Sequence, residues 1–287
     1  MPGSGIHIVK IFRKLSGIFF LGAALIFVSS CAEDVVTVDL KNTTPKIVIE
    51  GTLSDQGEPC TVKITTSGDF YRPSDFPPVT GAMVTLRDSE GNEEYLNETK
   101  PGLYRGESIL GVKGRTYTLI VTSGGKNYSA SSTIMKPVEI DSVSYHYETD
   151  PDIYNEDYEN KKEGYVFRCH FTDPEDTVDY YRIIIYLNSS PTDGIHLFND
   201  RISNGKNIDY SFEEDYLFDP EDTLKVELLT LDKPSYNYFS TLNDLLQGQG
   251  ENAMFSSVPD NPTSNLSNGA LGYFSAYSVQ SKTIVFK

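Results

Sequence analysis

Thr116-Tyr-Thr-Leu-Ile-Val-Thr, Ser123-Gly-Gly-Lys and Asn127-Tyr-Ser-Ala-Ser-Ser-Thr follow one another without a break, and their reading decides the fold. The first and last alternate in the two-residue period of a strand with one buried face, and the first is rich in β-branched and aromatic side chains. Gly124 and Gly125 between them supply positive φ without a Cβ penalty, as a tight hairpin turn demands. A lone hairpin is marginal in water, so this one predicts more strands around it.

They are present upstream. Lys46-Ile-Val-Ile-Glu-Gly-Thr-Leu, Thr61-Val-Lys-Ile-Thr-Thr and Ala82-Met-Val-Thr-Leu-Arg-Asp are short β-rich runs, and Ser89-Glu-Gly-Asn turns the chain into Glu94-Tyr-Leu-Asn. Lys100-Pro-Gly-Leu-Tyr-Arg leads on towards the hairpin. Seven or so strands in about ninety residues predict an immunoglobulin-like β-sandwich over residues 46–136. Residues 106–115 read as its penultimate loop. Residues 67–80, stiffened by Pro73, Pro77 and Pro78, form a candidate contact loop, although a structural loop is the commoner outcome.

Downstream, Pro137 marks a boundary, and Val138-Glu-Ile-Asp-Ser-Val-Ser-Tyr-His-Tyr opens a second β-rich domain over residues 137–287. An acidic, Tyr-bearing loop covers 148–163. Strands are expected at Gly164-Tyr-Val-Phe-Arg-Cys-His-Phe, Tyr180-Tyr-Arg-Ile-Ile-Ile-Tyr-Leu and Thr223-Leu-Lys-Val-Glu-Leu-Leu-Thr-Leu. One packed helix is expected over 234–247, with Tyr238, Leu242, Leu245 and Leu246 on one face and Gly248 at its end. A last strand pair, Gly272-Tyr-Phe-Ser-Ala-Tyr-Ser-Val and Ser281-Lys-Thr-Ile-Val-Phe, closes the chain. The expected fold class is therefore mainly β: an N-terminal immunoglobulin-like β-sandwich followed by a second β-rich domain with one packed helix.

The first thirty residues do not fit a folded body. Lys10, Arg13 and Lys14 precede an uncharged apolar run over 18–28, too short to span a bilayer. Val28-Ser29-Ser30-Cys31 then resembles the bacterial lipobox, in which the cysteine thiol receives a diacylglycerol and the new N-terminus a palmitate-type acyl chain. Residues 1–30 are expected as a lipoprotein signal peptide and 31–45 as a lipidated tether, with Cys31 as the lipidation site. An ordinary signal peptide or an uncleaved signal anchor are the alternatives. Ala32, Glu33 and Asp34 resemble the short acidic tag that sends lipoproteins of Bacteroidota to the cell surface, whereas a periplasmic orientation is the other outcome.

The formal net charge is −17, and removing a leader with three basic and no acidic residues leaves about −20. Such a chain is not built to neutralise nucleic-acid phosphates. Its membrane contact is expected through the lipid anchor. Cys60 and Cys169 lie in separate strand-like segments and read as buried thiols rather than a disulfide. No esterase elbow, zinc-protease helix or phosphate loop occurs, so neither catalytic residues nor a cofactor or metal is assigned. Of the histidines, His7 falls in the leader, and His146 and His170 lie in alternating strands where a surface or satisfied ring is the default. His196 completes the set. Asp173-Pro-Glu-Asp-Thr and Asp219-Pro-Glu-Asp-Thr each precede a strand and read as turns, with calcium ligation as the alternative.

Phe171-Thr-Asp-Pro with Tyr180-Tyr-Arg, Leu229-Thr-Leu-Asp with Tyr236-Asn-Tyr-Phe-Ser-Thr-Leu, and Asn261-Pro-Thr-Ser-Asn-Leu-Ser-Asn-Gly-Ala-Leu-Gly-Tyr-Phe together resemble the DUF4249 family of Bacteroidota outer-membrane lipoproteins. The last motif is the most specific. From the residues alone, Asn265, Asn268, Gly269 and Gly272 read as a tight turn and close backbone packing before a strand. The resemblance implies an outer-membrane location beside a TonB-dependent receptor and transfers no catalytic residue. The expected function is that of a non-enzymatic, surface-anchored accessory protein that binds a nutrient or such a receptor. A structural or adhesive envelope module without a small-molecule ligand is the alternative.

Overall fold

The computed structural model describes residues 45–68, 76–148, 164–201, 204–211, 218–248 and 261–287. The leader, Cys31, Ala32, Glu33, Asp34, most of the tether and most of the acidic 148–163 loop lie outside the described residues. In chain order the strands are β1 (Ile47–Ser54), β2 (Thr61–Thr66), β3 (Met83–Asp88), β4 (Glu93–Lys100), β5 (Leu103–Arg105), β6 (Thr116–Ser123) and β7 (Lys126–Thr133). Then come β8 (Ile140–Glu148), β9 (Gly164–Thr172), β10 (Tyr180–Leu187), β11 (Ser190–Pro191), β12 (His196–Asn199), β13 (Asn207–Ser211) and β14 (Thr223–Leu231). Helix α1 (Lys233–Gly248) and β15 (Leu271–Val285) complete the body. The protein is mainly β.

The opening hairpin is β6–β7, paired from Thr116↔Thr133 to Ser123↔Lys126, with Gly124 and Gly125 at φ 56° and 73°. It ends a 12-stranded sheet in which eleven strands follow the path β11-β10-β14-β15-β1-β2-β5-β4-β3-β6-β7 and the twelfth, β12, branches off by pairing with β10. β13, β9 and β8 make a separate three-stranded sheet. Strands β1 to β7 and the first half of β15 surround one core that includes Ile49, Ile64, Leu86, Tyr117, Leu119 and Phe274. Phe167, Phe171, Tyr181, Ile183, Leu224 and Phe286 fill a second core between the small sheet and the large one.

Both cores meet on β15. The sequence reading expects two strands there, but the chain runs straight through Gln280, because each half has its own partner. Residues 271–277 pair in parallel with β1, and residues 278–285 pair antiparallel with β14. Along the first half, even-numbered side chains such as Phe274 and Ala276 face the first core, and odd-numbered Tyr273 and Tyr277 face the helix. Residues 44–287 thus form one compact unit. A cut after residue 136 would remove from the N-terminal strands their last partner.

Residues 261–274 explain themselves in this setting. Opposite β1, the first half of β15 is met by side chains: Ser264 Oγ donates to Gly272 O (2.7 Å), Asn265 Nδ2 to Phe274 O (2.7 Å), and Phe274 N to Asn265 Oδ1 (3.0 Å). Ala276 N donates to Ser132 Oγ of β7 (2.8 Å). The same loop seals the edge of β7, where Ser267 N donates to Ser129 O (2.8 Å) and Ser129 N to Ser267 Oγ (2.8 Å). Asn268 (φ 56°) and Gly269 (φ 71°) make the turn, and Asn268 Nδ2 donates to Asn127 O (2.6 Å). At Gly272 (φ 89°) any Cβ would overlap the Ile49 carbonyl oxygen. The turn and close packing read from these residues are what the structure shows.

Asp232 caps α1, accepting Ser235 N on Oδ1 (3.0 Å), while its Oδ2 accepts Thr133 N from β7 (3.0 Å). The helix face that packs is Tyr238, Phe239 and Leu242, whereas Leu246, expected on that face, is 56% exposed. In the 106–115 loop, the Glu94 carboxylate accepts Glu107 N (2.5 Å), Ser108 N (3.0 Å), Ser108 Oγ (2.7 Å) and Ile109 N. Burial alone would raise its pKa, but those donors outweigh burial and hold the carboxyl below the ordinary value.

Asn265→Ala should cost about 2–3 kcal/mol by urea denaturation, since it strands the Phe274 N–H and C=O in the interior; an unchanged midpoint would remove the edge-sealing role. Because the folded pKa of Glu94 is depressed, its stabilisation is present above the unfolded value and lost as pH falls through the folded one. Glu94→Gln should therefore be less stable than wild type at neutral pH and converge on it in acid, read from melting temperatures across the pH range.

Candidate functional site

The turns read from the two Asp-Pro-Glu-Asp-Thr segments are present. Asp219 N donates to Asp222 Oδ2 (2.9 Å) and Asp222 N to Asp219 O (3.2 Å), with Glu221 at φ 72°. The first segment does more than turn. It carries the chain from β9 in the small sheet to β10 in the large one, and so places Asp173 and Asp179 beside Asp200 at the end of β12. One oxygen from each lies within 4.8 Å of the others, and the residues are 1%, 4% and 3% exposed.

Local structure fixes each carboxylate. Asp179 N donates to Asp200 Oδ2 (2.8 Å) and Asp200 N to Asp179 O (3.3 Å), which carries the β10–β12 pairing one step past Tyr180↔Asn199. Asp173 Oδ1 accepts from Tyr181 OH (2.5 Å), and its Oδ2 accepts from Gly205 N (3.0 Å). Thr177 Oγ1 donates to Asp179 Oδ2 (2.5 Å). Burial, only partly offset by Thr177 and reinforced by the charges of Asp173 and Asp200, raises the Asp179 pKa. Tyr181 is pushed up as well, by burial and by its bond to Asp173, so its hydroxyl stays a donor.

Three buried acids at this spacing repel one another unless a proton or a cation intervenes. Carboxylate oxygens are hard ligands, and calcium and magnesium are the cations they suit. Sequence reading picked out Asp173 but missed Asp179 and Asp200. The signal for Asp200 is weak, because β12 is four residues long and its pairing with β10 is what brings the group in.

The remaining sequence candidates do not join this group. His170 is held between Ser144 Oγ (3.0 Å) and Asp209 Oδ1 (3.4 Å), and His146 is exposed on β8. His196 is half-buried on β12, where burial lowers its pKa. Cys60 and Cys169 are both buried and free, with burial pushing each thiol up to about 12. In the 67–80 loop, residues 69–75 lie outside the described residues, and Phe76 is exposed. Among the described residues, no helix is long and apolar enough to cross a membrane.

The sequence pattern of DUF4249, a domain of unknown function, matches residues 33–283. The chain belongs to the DUF4249 family. The match covers all the described strands but the last residues of β15, together with the Asp173–Asp179–Asp200 group and the 261–274 edge seal. No curated protein matches the chain.

Asp179→Asn removes one of the three facing charges and should raise the melting temperature by a few degrees in EDTA at neutral pH. The sign follows from linkage: a raised folded pKa contributes stability below the unfolded value and loses it as pH rises through the folded one, so the ionised group is a burden at neutral pH. A lower melting temperature for the variant in EDTA would show that the ionised carboxylate supports the fold.

Proposed function

We propose that this DUF4249 member is a non-enzymatic accessory lipoprotein, held by lipidated Cys31 at the outer membrane of a member of the Bacteroidota. There it serves a TonB-dependent receptor, by capturing a nutrient or by docking on the receptor itself. The observation that carries the reading is the order of elements in the sequence. A basic and apolar leader ends in Val28-Ser29-Ser30-Cys31, a polar stretch follows, and a sealed β body starts at Ile47. Two or more acyl chains at about 0.8 kcal/mol per buried methylene give durable attachment. Glu33 and Asp34, separated from Cys31 by one residue, Ala32, favour the exterior face.

The body suits such a role. Its strands are locked by side-chain seals as well as by pairing, so a contact surface is presented on a rigid support. The surplus of acidic side chains favours solubility and disfavours anionic partners except where a cationic group is locally exposed.

Cys31→Ala should abolish incorporation of labelled palmitate and release or mislocalise the protein, and retained labelling at the membrane would overturn the anchor. The accessory role is tested separately. Pull-down of the lipidated protein from detergent-solubilised outer membranes should bring a TonB-dependent receptor with it. Capture of no receptor, together with unchanged growth of a deletion strain on every nutrient tried, would instead favour an adhesive or structural envelope module.

A further inference from the structure

On the helix side of the large sheet, Arg182 of β10, Leu229 of β14 and Val279 of β15 stand side by side in register, and α1 lies over them. The Arg182 guanidinium sits 4.2 Å from the centroid of the Phe239 ring. Phe239 and Tyr238 pack in turn on Tyr273, with ring centroids 4.9 and 4.6 Å apart. A guanidinium on an aromatic face is a common packing arrangement. What is uncommon is that its Nε is buried and has no hydrogen-bond partner among the described residues, and that no carboxylate there lies in ion-pair range.

Two acids of this face are each paired with a lysine. Glu227 takes Lys225 Nζ at 2.6 Å and also accepts from Tyr186 OH (3.3 Å), and Glu50 takes Lys63 Nζ at 3.5 Å. Among the described residues Arg182 is thus left without an ion-pair partner, in a protein of net charge −17. Tyr273, Tyr277 and Tyr186 lie near enough to act on it electrostatically. Burial pushes Tyr273 and Tyr277 up to about 12, so both remain neutral donors. Ser275, between those two tyrosines on the same face of β15, has a buried Oγ that is also without a hydrogen-bond partner among the described residues. Arg182, Tyr273 and Tyr277 are half-buried, each keeping part of its surface exposed.

We infer that Arg182, with the hydroxyls of Tyr273 and Tyr277 and the ring of Phe239, forms a binding site for a small monocarboxylate that carries an apolar or aromatic body. A guanidinium presents a fork of donors matched to a carboxylate, and the rings beside it offer a flat apolar wall to the rest of the ligand. The single positive charge favours a monoanion over a phosphate dianion, because Lys63 and Lys225 are already engaged. The site stands independently of the membrane anchor and does not involve the aspartate group.

Benzoate is a suitable probe, with benzamide as its neutral counterpart and inorganic phosphate as the competing anion, titrated into the soluble body and followed by saturation-transfer NMR and tyrosine fluorescence. Saturable benzoate binding is expected, with benzamide and phosphate roughly tenfold weaker or worse. Arg182→Met keeps the apolar stem over Phe239 and should lose benzoate binding by about tenfold or more with an unchanged melting temperature. Should that variant not fold, Tyr277→Phe keeps the ring and should weaken benzoate several-fold. The inference is overturned if wild type shows no saturable benzoate binding up to about 10 mM, if phosphate or benzamide binds as well as benzoate, or if the folded variants bind it as wild type does.

Discussion

One strand holds this protein together. A β-strand has two hydrogen-bonding edges and two faces, and β15 uses all four. Its first half pairs with β1 and its second half with β14, and its even-numbered side chains enter one core and then the other. Where no strand lies beside it, Ser264, Asn265 and Ser132 take over the backbone groups. The cost of a buried, unsatisfied amide makes those three polar side chains as necessary as any apolar contact. Gly272 follows from the same constraint, since the close approach of β1 leaves no room for a side chain there.

Much of this was legible locally. The strand Tyr180–Leu187 and the β6–β7 hairpin coincide with their sequence reading within a residue, because alternation and turn chemistry are short-range signals. The helix was legible too, but its packed face was drawn one turn too far: α1 ends its contact near Leu242 and leaves Leu246 in solvent. Over β15 the sequence predicts a strand pair, whereas what changes midway is the neighbour, from β1 to β14, without a turn. The small strands β11, β12 and β13 carry too few residues for a period to emerge.

The functional groups were less legible than the fold. Three aspartates converge only once β9, β10 and β12 are in place, and acids are so common in this chain that no spacing singles them out. Arg182 is likewise ordinary as a letter in Tyr-Tyr-Arg-Ile-Ile-Ile. Its interest lies in what surrounds it, namely a helix-borne ring, tyrosine hydroxyls and acids already taken by other lysines. By contrast, the Asn261 to Phe274 motif, the most specific part of the family resemblance, proves to be architectural: its conspicuous polar residues seal sheet edges.

The parallel pairing of β1 with β15 also has a mechanical side. The chain enters the body at Ile47, the start of β1, so a pull on the preceding segment drags β1 lengthwise against β15 over seven paired positions, Val48↔Leu271 to Ser54↔Tyr277. Cross-strand bonds lie across that direction, so they are loaded together in shear and cannot open one after another like a zipper. Drag on the body is therefore resisted by the whole β1–β15 seam at once, and the first strand after the polar stretch acts as a mechanical clamp.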